Sequence, residues 1–258
     1  MLDLHVHLLG HRDREANRDN IRSFLGEALR KKLTRIGFAD HDYYWHELNF
    51  DLIRETALEY PELEVRVGLE VDYREENEES IRRMIDQYDF DYIIGSVHEI
   101  KGWLFDYPEE EEEHRRRNPD QLYTDYFSLI EKAARSGLFD IIGHIDLVKL
   151  FGIRPYTDVR ILAKPALEVI KQNGLVVEVN TNGRYKAVNE FYPDFNLIET
   201  IKQMDIAFTL GSDAHEFGNV GRDLFEAAKQ LESAGVRTLT GFTRRIPDIL
   251  PIKSQMDV

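Results

Sequence analysis

At 258 residues, with 33 Lys and Arg against 48 Asp and Glu for a formal net charge of −15, the chain is long enough to bury one substantial core. So acidic a balance argues against sequence-independent nucleic-acid binding, which depends on Lys and Arg displacing counterions from phosphates, but it leaves room for a small anionic substrate in a local cationic pocket. The lack of cysteine excludes disulfides, thiolate metal sites and Cys nucleophiles.

No Pro/Gly/Ser-rich linker and no repeat divides the chain, so residues 1–258 read as a single domain. The first residues lack a basic segment followed by an apolar run, and no apolar stretch approaches membrane-spanning length. The expectation is a cytoplasmic protein with no membrane partner. A homo-oligomer stays open.

In chain order, the first strand-like run is Leu2–Val6, within "DLHVHLLGH", where three histidines fall in nine residues. On a strand His5 and His7 share one side, either as polar surface or as half of a metal site. The amphipathic "RDNIRSFLGEALRKKL" leads to a second run, Arg35–Ala39, ending in "ADHD" with His41. The third, Glu64–Leu69, continues into "GLEVD" with Glu70. After the helical "EESIRRMIDQY", a fourth run at Tyr92–Val97 ends in "GSVHEI" with His98. The charge blocks of "YPEEEEEHRRRNP" suit a solvated loop or helix face, or a flap over a site.

The helical "DQLYTDYFSLIEKAARSG" stops at Gly137, where a helix C-terminus wants a left-handed residue. The fifth run, Asp140–Gly143, is followed by "GHIDL" with His144, and then by Arg154 in "FGIRP". The sixth, Leu175–Val179, continues as "VEVNTNGR" with Arg184 and carries no metal ligand. The seventh, Ile206–Leu210, ends in "LGSDAHE" with Asp213 and His215; the helical "GRDLFEAAKQLESAG" then stops at Gly235.

Strand–helix alternation argues for a parallel sheet, and seven units fit a closed or nearly closed barrel better than the alternative, a doubly wound open sheet. In such a barrel the C-terminal strand ends meet at one mouth, so six of the seven strands bring a His or a carboxylate to the same small volume. That convergence favours metal ligands over polar surface. A nitrogen and oxygen donor set suits Zn, Mn or Fe, and the number of candidates suits two or three divalent ions, particularly with Glu70 bridging.

The segments "HVH", "DH", "GLE", "GSVH", "GHID" and "SDAH", in this order and near these spacings, resemble the polymerase and histidinol phosphatase (PHP) family from Asp3 to about Gly221. Within it, "FDYIIGSVHEIKGWLFD", "VEVNTNGRYKAVNEFYP" and "GSDAHEFGNVG" are most similar to the monofunctional histidinol-phosphatases. The resemblance implies a distorted (β/α)7 TIM-like barrel, a three-metal centre, and hydrolysis of L-histidinol phosphate in histidine biosynthesis. It implies His5, His7, Glu70 and Asp213 for one ion, Glu70, His98 and His144 for a second, and His11, His41 and His215 for a third. Asp13 lies nearer the family's usual spacing than His11 and is the alternative there. Other readings are a PHP phosphoesterase for nucleotides or other small phosphate esters, a metal-stabilised non-catalytic PHP module, and an amide-hydrolysing TIM barrel, the last weakened by the lack of a strand-end Lys for carboxylation.

A guanidinium at Arg184 could grip phosphate with two prongs or simply form an ion pair, and Arg154 is a second candidate for substrate. Asp213 and His215 are the candidates for protonating the leaving alcohol. Asp40 and Asp42 are placed to orient neighbouring imidazoles. Trp103 and Phe105 either line the pocket or pack. His46 and His114 match no strand end and read as surface, while Phe24, Leu25 and Leu29 read as core.

Overall fold

The computed structural model describes residues 1–252; the last six residues of the expected 1–258 domain lie outside the described residues. Its centre is a ring of parallel strands: β1 (Leu2–Val6), β2 (Arg35–Phe38), β3 (Glu64–Asp72) and β4 (Tyr92–Ser96). After β4 comes a small antiparallel hairpin, β5 (Glu99–Ile100) with β6 (Trp103–Leu104), and the ring resumes with β7 (Ile141–Ile142), β8 (Val176–Asn180) and β9 (Phe208–Gly211). Neighbours pair in the order β1-β2-β3-β4-β7-β8-β9. The ring closes where His7 N–H donates to the Ala214 carbonyl at 2.9 Å and Ala214 N–H to that of His5 at 3.4 Å, bringing β9 back beside β1. The result is the seven-stranded barrel rather than the open sheet.

The ring strands are buried on both faces, by the barrel interior and by the helices outside, except for the first three residues of β3. Those helices are α1 (Arg18–Arg30), α2 (Phe50–Ala57), α3 (Glu78–Ile85), α4 (Glu111–Arg116), α5 (Pro119–Arg135), α6 (Val159–Gln172), α7 (Phe195–Gln203) and α8 (Leu224–Ser233). Asn17, Asn49, Asn118, Asp158 and Asp194 cap the starts of α1, α2, α5, α6 and α7 by accepting a backbone N–H of the first turn. Gly137 and Gly235 take φ of 70° and 87° just past α5 and α8, which a Cβ would oppose. No helix of the described residues is long and apolar enough to cross a membrane.

Inside the barrel, Tyr92 fills the space beneath the site and donates its hydroxyl to the Leu4 carbonyl at 2.7 Å. A Cβ on Gly37 would overlap that hydroxyl, and one on Gly68 would overlap the ring. A second antiparallel hairpin, β10 (Thr238–Thr243) with β11 (Ile246–Pro251), reaches the N-terminal strand ends. Arg35 at the start of β2 bridges Glu64 and Asp248, Arg66 donates to the Phe242 carbonyl at 3.0 Å, and Arg245 holds Asp140 at 2.8 Å. Asp91 accepts from Arg244 N–H at 3.1 Å.

Gly37→Ala should therefore cost about 1–3 kcal/mol of stability, the usual scale of overpacking. Its cost should shrink once Tyr92→Phe has removed the overlapping hydroxyl. Urea melts of both single variants and the double variant measure that coupling; simple additivity would mean that the two residues do not compete for space.

Candidate metal centre

The site forms because alternation along each strand turns one set of side chains inward, and the inward residues at the mouth end are polar. His5 lies on β1, His7 just beyond it, Glu70 on β3, and His41, His98, His144, Asp213 and His215 in the loops that follow β2, β4, β7 and β9. Glu70 is at the centre. Its Oε2 is 2.8 Å from His41 Nδ1, 3.3 Å from His5 Nε2 and 3.6 Å from His7 Nε2. Its Oε1 accepts from Ser96 Oγ at 2.7 Å and is 3.0 Å from His144 Nε2 and 3.7 Å from His98 Nε2. Asp213 Oδ1 adds contacts of 3.2 Å to His7 Nε2 and 3.4 Å to His215 Nδ1.

Burial alone would raise the pKa values of Glu70 and Asp213, but the surrounding imidazoles outweigh it and hold both carboxyls well below their ordinary range. His215 moves the other way. Burial, followed by neighbouring imidazole charge against Asp213, lowers it to about 4, so its ring is neutral at pH 7 with a lone pair to offer. Burial opposes a charge on His98 as well, yet Asp72 and Glu70 raise it to about 10.

Three groups of ligand atoms lie within 4.8 Å of one another: His5, His7 and Glu70; Glu70, His98 and His144; and His7, His41 and His215. Within the described chain, buried His5 Nε2, both His7 ring nitrogens, Glu70 Oε2, His144 Nδ1 and His215 Nε2 have no hydrogen-bond partner. Orphaned donor atoms of this kind converging on carboxylates fit divalent metal ions, which satisfy buried lone pairs that nothing else reaches.

Around these atoms is a supporting layer. Glu178, inward on β8, takes His5 Nδ1 at 2.7 Å on one oxygen and the His144 backbone N–H at 2.8 Å on the other. Asp72 lies 3.5 Å from His98 Nδ1 and accepts its backbone N–H at 3.0 Å. Asn180 and Asn182 donate to Asp213 Oδ2 at 3.3 and 3.2 Å, leaving Oδ1 for the imidazoles. Asp213 itself has a left-handed φ of 52°, an uncommon setting for any residue but Gly that Asp tolerates better than most and that functional sites often retain.

Several expectations change in the structure. Arg184 does not reach the imidazoles. The helical turn Asn182–Tyr185 sends Asn182 inward and Arg184 outward, where it lies over Phe191 and 3.5 Å from Asp223. Arg154 pairs with Glu190 at 2.5 Å in the same neighbouring cavity. The cations lining the 230 Å³ cavity above the imidazoles are Arg222 and Lys186. Arg222 donates to Asn182 and Asn219 and packs on the Tyr185 ring.

The third group of ligand atoms contains His7, and His11 lines the same cavity beside it. His11 is exposed and sets its ring 4.2 Å from that of His215, whereas the exposed Asp13 faces Arg14 instead of the cluster. Asp40 does not orient an imidazole: it accepts Leu8 and Leu9 N–H at 2.9 and 2.7 Å, fixing the loop after β1, and burial raises it to about 6 against those donors. Asp42 accepts the Asp72 N–H at 3.5 Å instead of meeting an imidazole. His114 is not on the surface. It is fully buried, with Nε2 2.8 Å from the Phe105 carbonyl, while His46 is exposed against Trp45. Trp103 and Phe105 pack, and Asp106 beside them lines the cavity. The charged run forms a solvated helix face of i,i+4 pairs such as Glu111–Arg115.

Glu178 had no counterpart in the sequence reading, although its signal was present: a charge inside an apolar central strand must be paired. Glu178→Gln should weaken zinc binding about 10–100-fold while the fold is retained, the scale reported for groups that orient ligand histidines. Chelator-competition titration beside circular dichroism measures both; unchanged affinity would reduce Glu178 to a packing role.

A family model described as PHP domain matches residues 3–182. The chain is 38% identical over 251 residues to a probable histidinol-phosphatase of Deinococcus radiodurans, covering 92% of this chain and 94% of that one. It is 29% identical over 244 residues to a histidinol-phosphatase of Bacillus subtilis, covering 79% and 90%. In fold it is similar to the histidinol phosphate phosphatase of Lactococcus lactis solved with zinc, L-histidinol and phosphate, at TM-score 0.74 and 23% identity over 96% of this chain and 98% of that one.

Proposed function

The chain belongs to the PHP domain family, and from that premise we propose that it is a metal-dependent phosphomonoesterase that hydrolyses L-histidinol phosphate to L-histidinol and phosphate. The observation that carries this reading is the set of orphaned imidazole nitrogens around Glu70, opening on a single cavity that also holds two cations. The named activity of the relatives supports the choice of substrate.

His5, His7, Glu70 and Asp213 would hold one ion, and Glu70, His98 and His144 a second. His41 and His215 would hold a third, completed by His7 or His11. Two to three divalent ions (Zn, Mn or Fe) suit this donor set. When bound they supply Lewis acidity, acidify water towards neutral pH and neutralise phosphate charge.

The chain's own residues do the rest. In hydrolysis a water oxygen bonds to phosphorus, the ester P–O bond breaks, and a proton ends on the departing alcohol. Arg222, held by Asn182 and Asn219, faces the cavity as a preorganised cation for phosphate oxygens, with Lys186 as a second, exposed one. Asn180 and Asn182 keep Asp213 aimed at the imidazoles, and Glu178 and Asp72 do the same for His5 and His98. At the cavity surface, the ionised Asp213 or the neutral His215 would take a proton from the attacking water and relay it to the leaving oxygen.

Protein prepared without chelator should contain two to three equivalents of transition metal and release phosphate from histidinol phosphate faster than from nucleotides or sugar phosphates. Chelation should abolish activity and Zn, Mn or Fe should restore it; full activity at one equivalent or fewer would overturn the multinuclear reading.

Arg222→Ala should cost about 2–4 kcal/mol in kcat/KM, the scale of losing one preorganised charge-stabilising donor, with unchanged metal content. Arg184→Ala should cost less, since its guanidinium faces the neighbouring cavity. The reverse ranking in steady-state kinetics would return the phosphate role to Arg184.

A further inference from the structure

Three carboxylates line the imidazole cavity, and they are not equivalent. Glu70 and Asp213 are surrounded by imidazoles. Asp106 has no ion-pair partner among the described residues, and its Oδ1 is buried without a hydrogen-bond partner. A carboxylate oxygen withdrawn from water and left unpaired is costly unless something arriving in the cavity supplies a donor.

Asp106 is also held rigidly. It follows β6 directly after Phe105, which is fully buried and whose carbonyl accepts from the buried His114 ring at 2.8 Å. It is near enough to His98 and Tyr192 for its charge to act on both. Its position in the ring completes the picture. Asp106 belongs to the β4 sector, whereas Arg222 follows β9 and Lys186 follows β8. With β9 beside β1, the order β1-β2-β3-β4-β7-β8-β9 sets β4 across the mouth from β9. The cavity is thus polarised, with the Arg222 cation across the mouth from an unpaired anion.

We propose that Asp106 is the specificity residue for a cationic group on the substrate, receiving the ammonium of an aminoalkyl phosphate whose phosphate lies towards Arg222. This rests on the phosphomonoesterase reading above and narrows its substrate class to zwitterionic esters that carry an ammonium near the ester carbon, as L-histidinol phosphate does. A neutral alkyl phosphate would leave the buried Asp106 Oδ1 unpaired, which penalises the wrong substrate as well as favouring the right one.

The test compares metal-loaded wild type and Asp106→Asn on two matched pairs: histidinol phosphate against its deaminated analogue, and phosphoethanolamine against ethyl phosphate. The expected result is that the kcat/KM ratio of cationic to neutral ester falls about 10–100-fold in Asp106→Asn, the scale of one hydrogen bond to a charged group. Calorimetry with L-histidinol alone should show the same loss of affinity, and elemental analysis an unchanged metal content. An unaltered ratio, an equal fall for both members of each pair, or loss of a metal equivalent would overturn the proposal, the last two by making Asp106 a support of the metal centre. If wild type turns over phosphoethanolamine but not histidinol phosphate, the proposed substrate fails while the second pair still decides the role of Asp106.

Discussion

A single buried carboxylate, Glu70, makes the rest of the barrel mouth tenable. Five imidazoles lie within 3.7 Å of its two oxygens, and without that anion their desolvation and mutual repulsion would oppose folding. The demand runs back to the backbone. Glu70 faces inward only because β3 pairs in one register with β2 and β4, Val67 against Phe38 and Glu70 against Ile94. A slip of one residue would turn the carboxylate out of the barrel and Leu69 or Val71 in. The longest strand of the ring thus carries the residue whose misplacement would do most damage.

Much of this was legible in the sequence because it obeys strong local rules. Apolar runs bounded by turn residues located six of the seven strands to within a residue or two and the third, Glu64–Asp72, three residues short at its mouth end. His or acidic residues at or just past six of the expected ends marked the mouth. Gly137 and Gly235 signalled the ends of α5 and α8. What stayed hidden depends on tertiary compensation. The β10–β11 hairpin turns at Arg244 and Arg245, with φ of 51° and 62°, where an Asn-Gly pair would have announced itself. Asp91 and Asp140 hold the two arginines from other parts of the chain. Pro247 and Pro251 also argue against a strand, and are tolerated because β11 is an edge.

The site was read less completely for a related reason. Glu178 sits in "VVEVN", where strand periodicity shows that it points inward but not that its partners are His5 and the His144 backbone. Arg222 was not among the sequence candidates, which were Arg184 and Arg154; the helical turn after β8 sends the Arg184 guanidinium outward, while Arg222, after β9, lines the cavity. His114 looked like surface because it lies in a charged run, yet it is the inward residue of α4, buried against Trp103, Phe105 and Phe151. The mouth keeps unpartnered lone pairs and a left-handed Asp213, departures from the local consistency seen elsewhere.

The tyrosine beneath the site has a consequence for traffic. With Tyr92 wedged between Gly37 and Gly68 and the β10–β11 hairpin bracing the strand ends below, the cavity is a blind vessel rather than a passage. Whatever enters must leave by the same rim. The two products of any cleavage there therefore share one exit with incoming reactant, and the fragment seated deeper stays trapped until the outer one has departed. Departure is then sequential by construction, its order set by depth in the vessel.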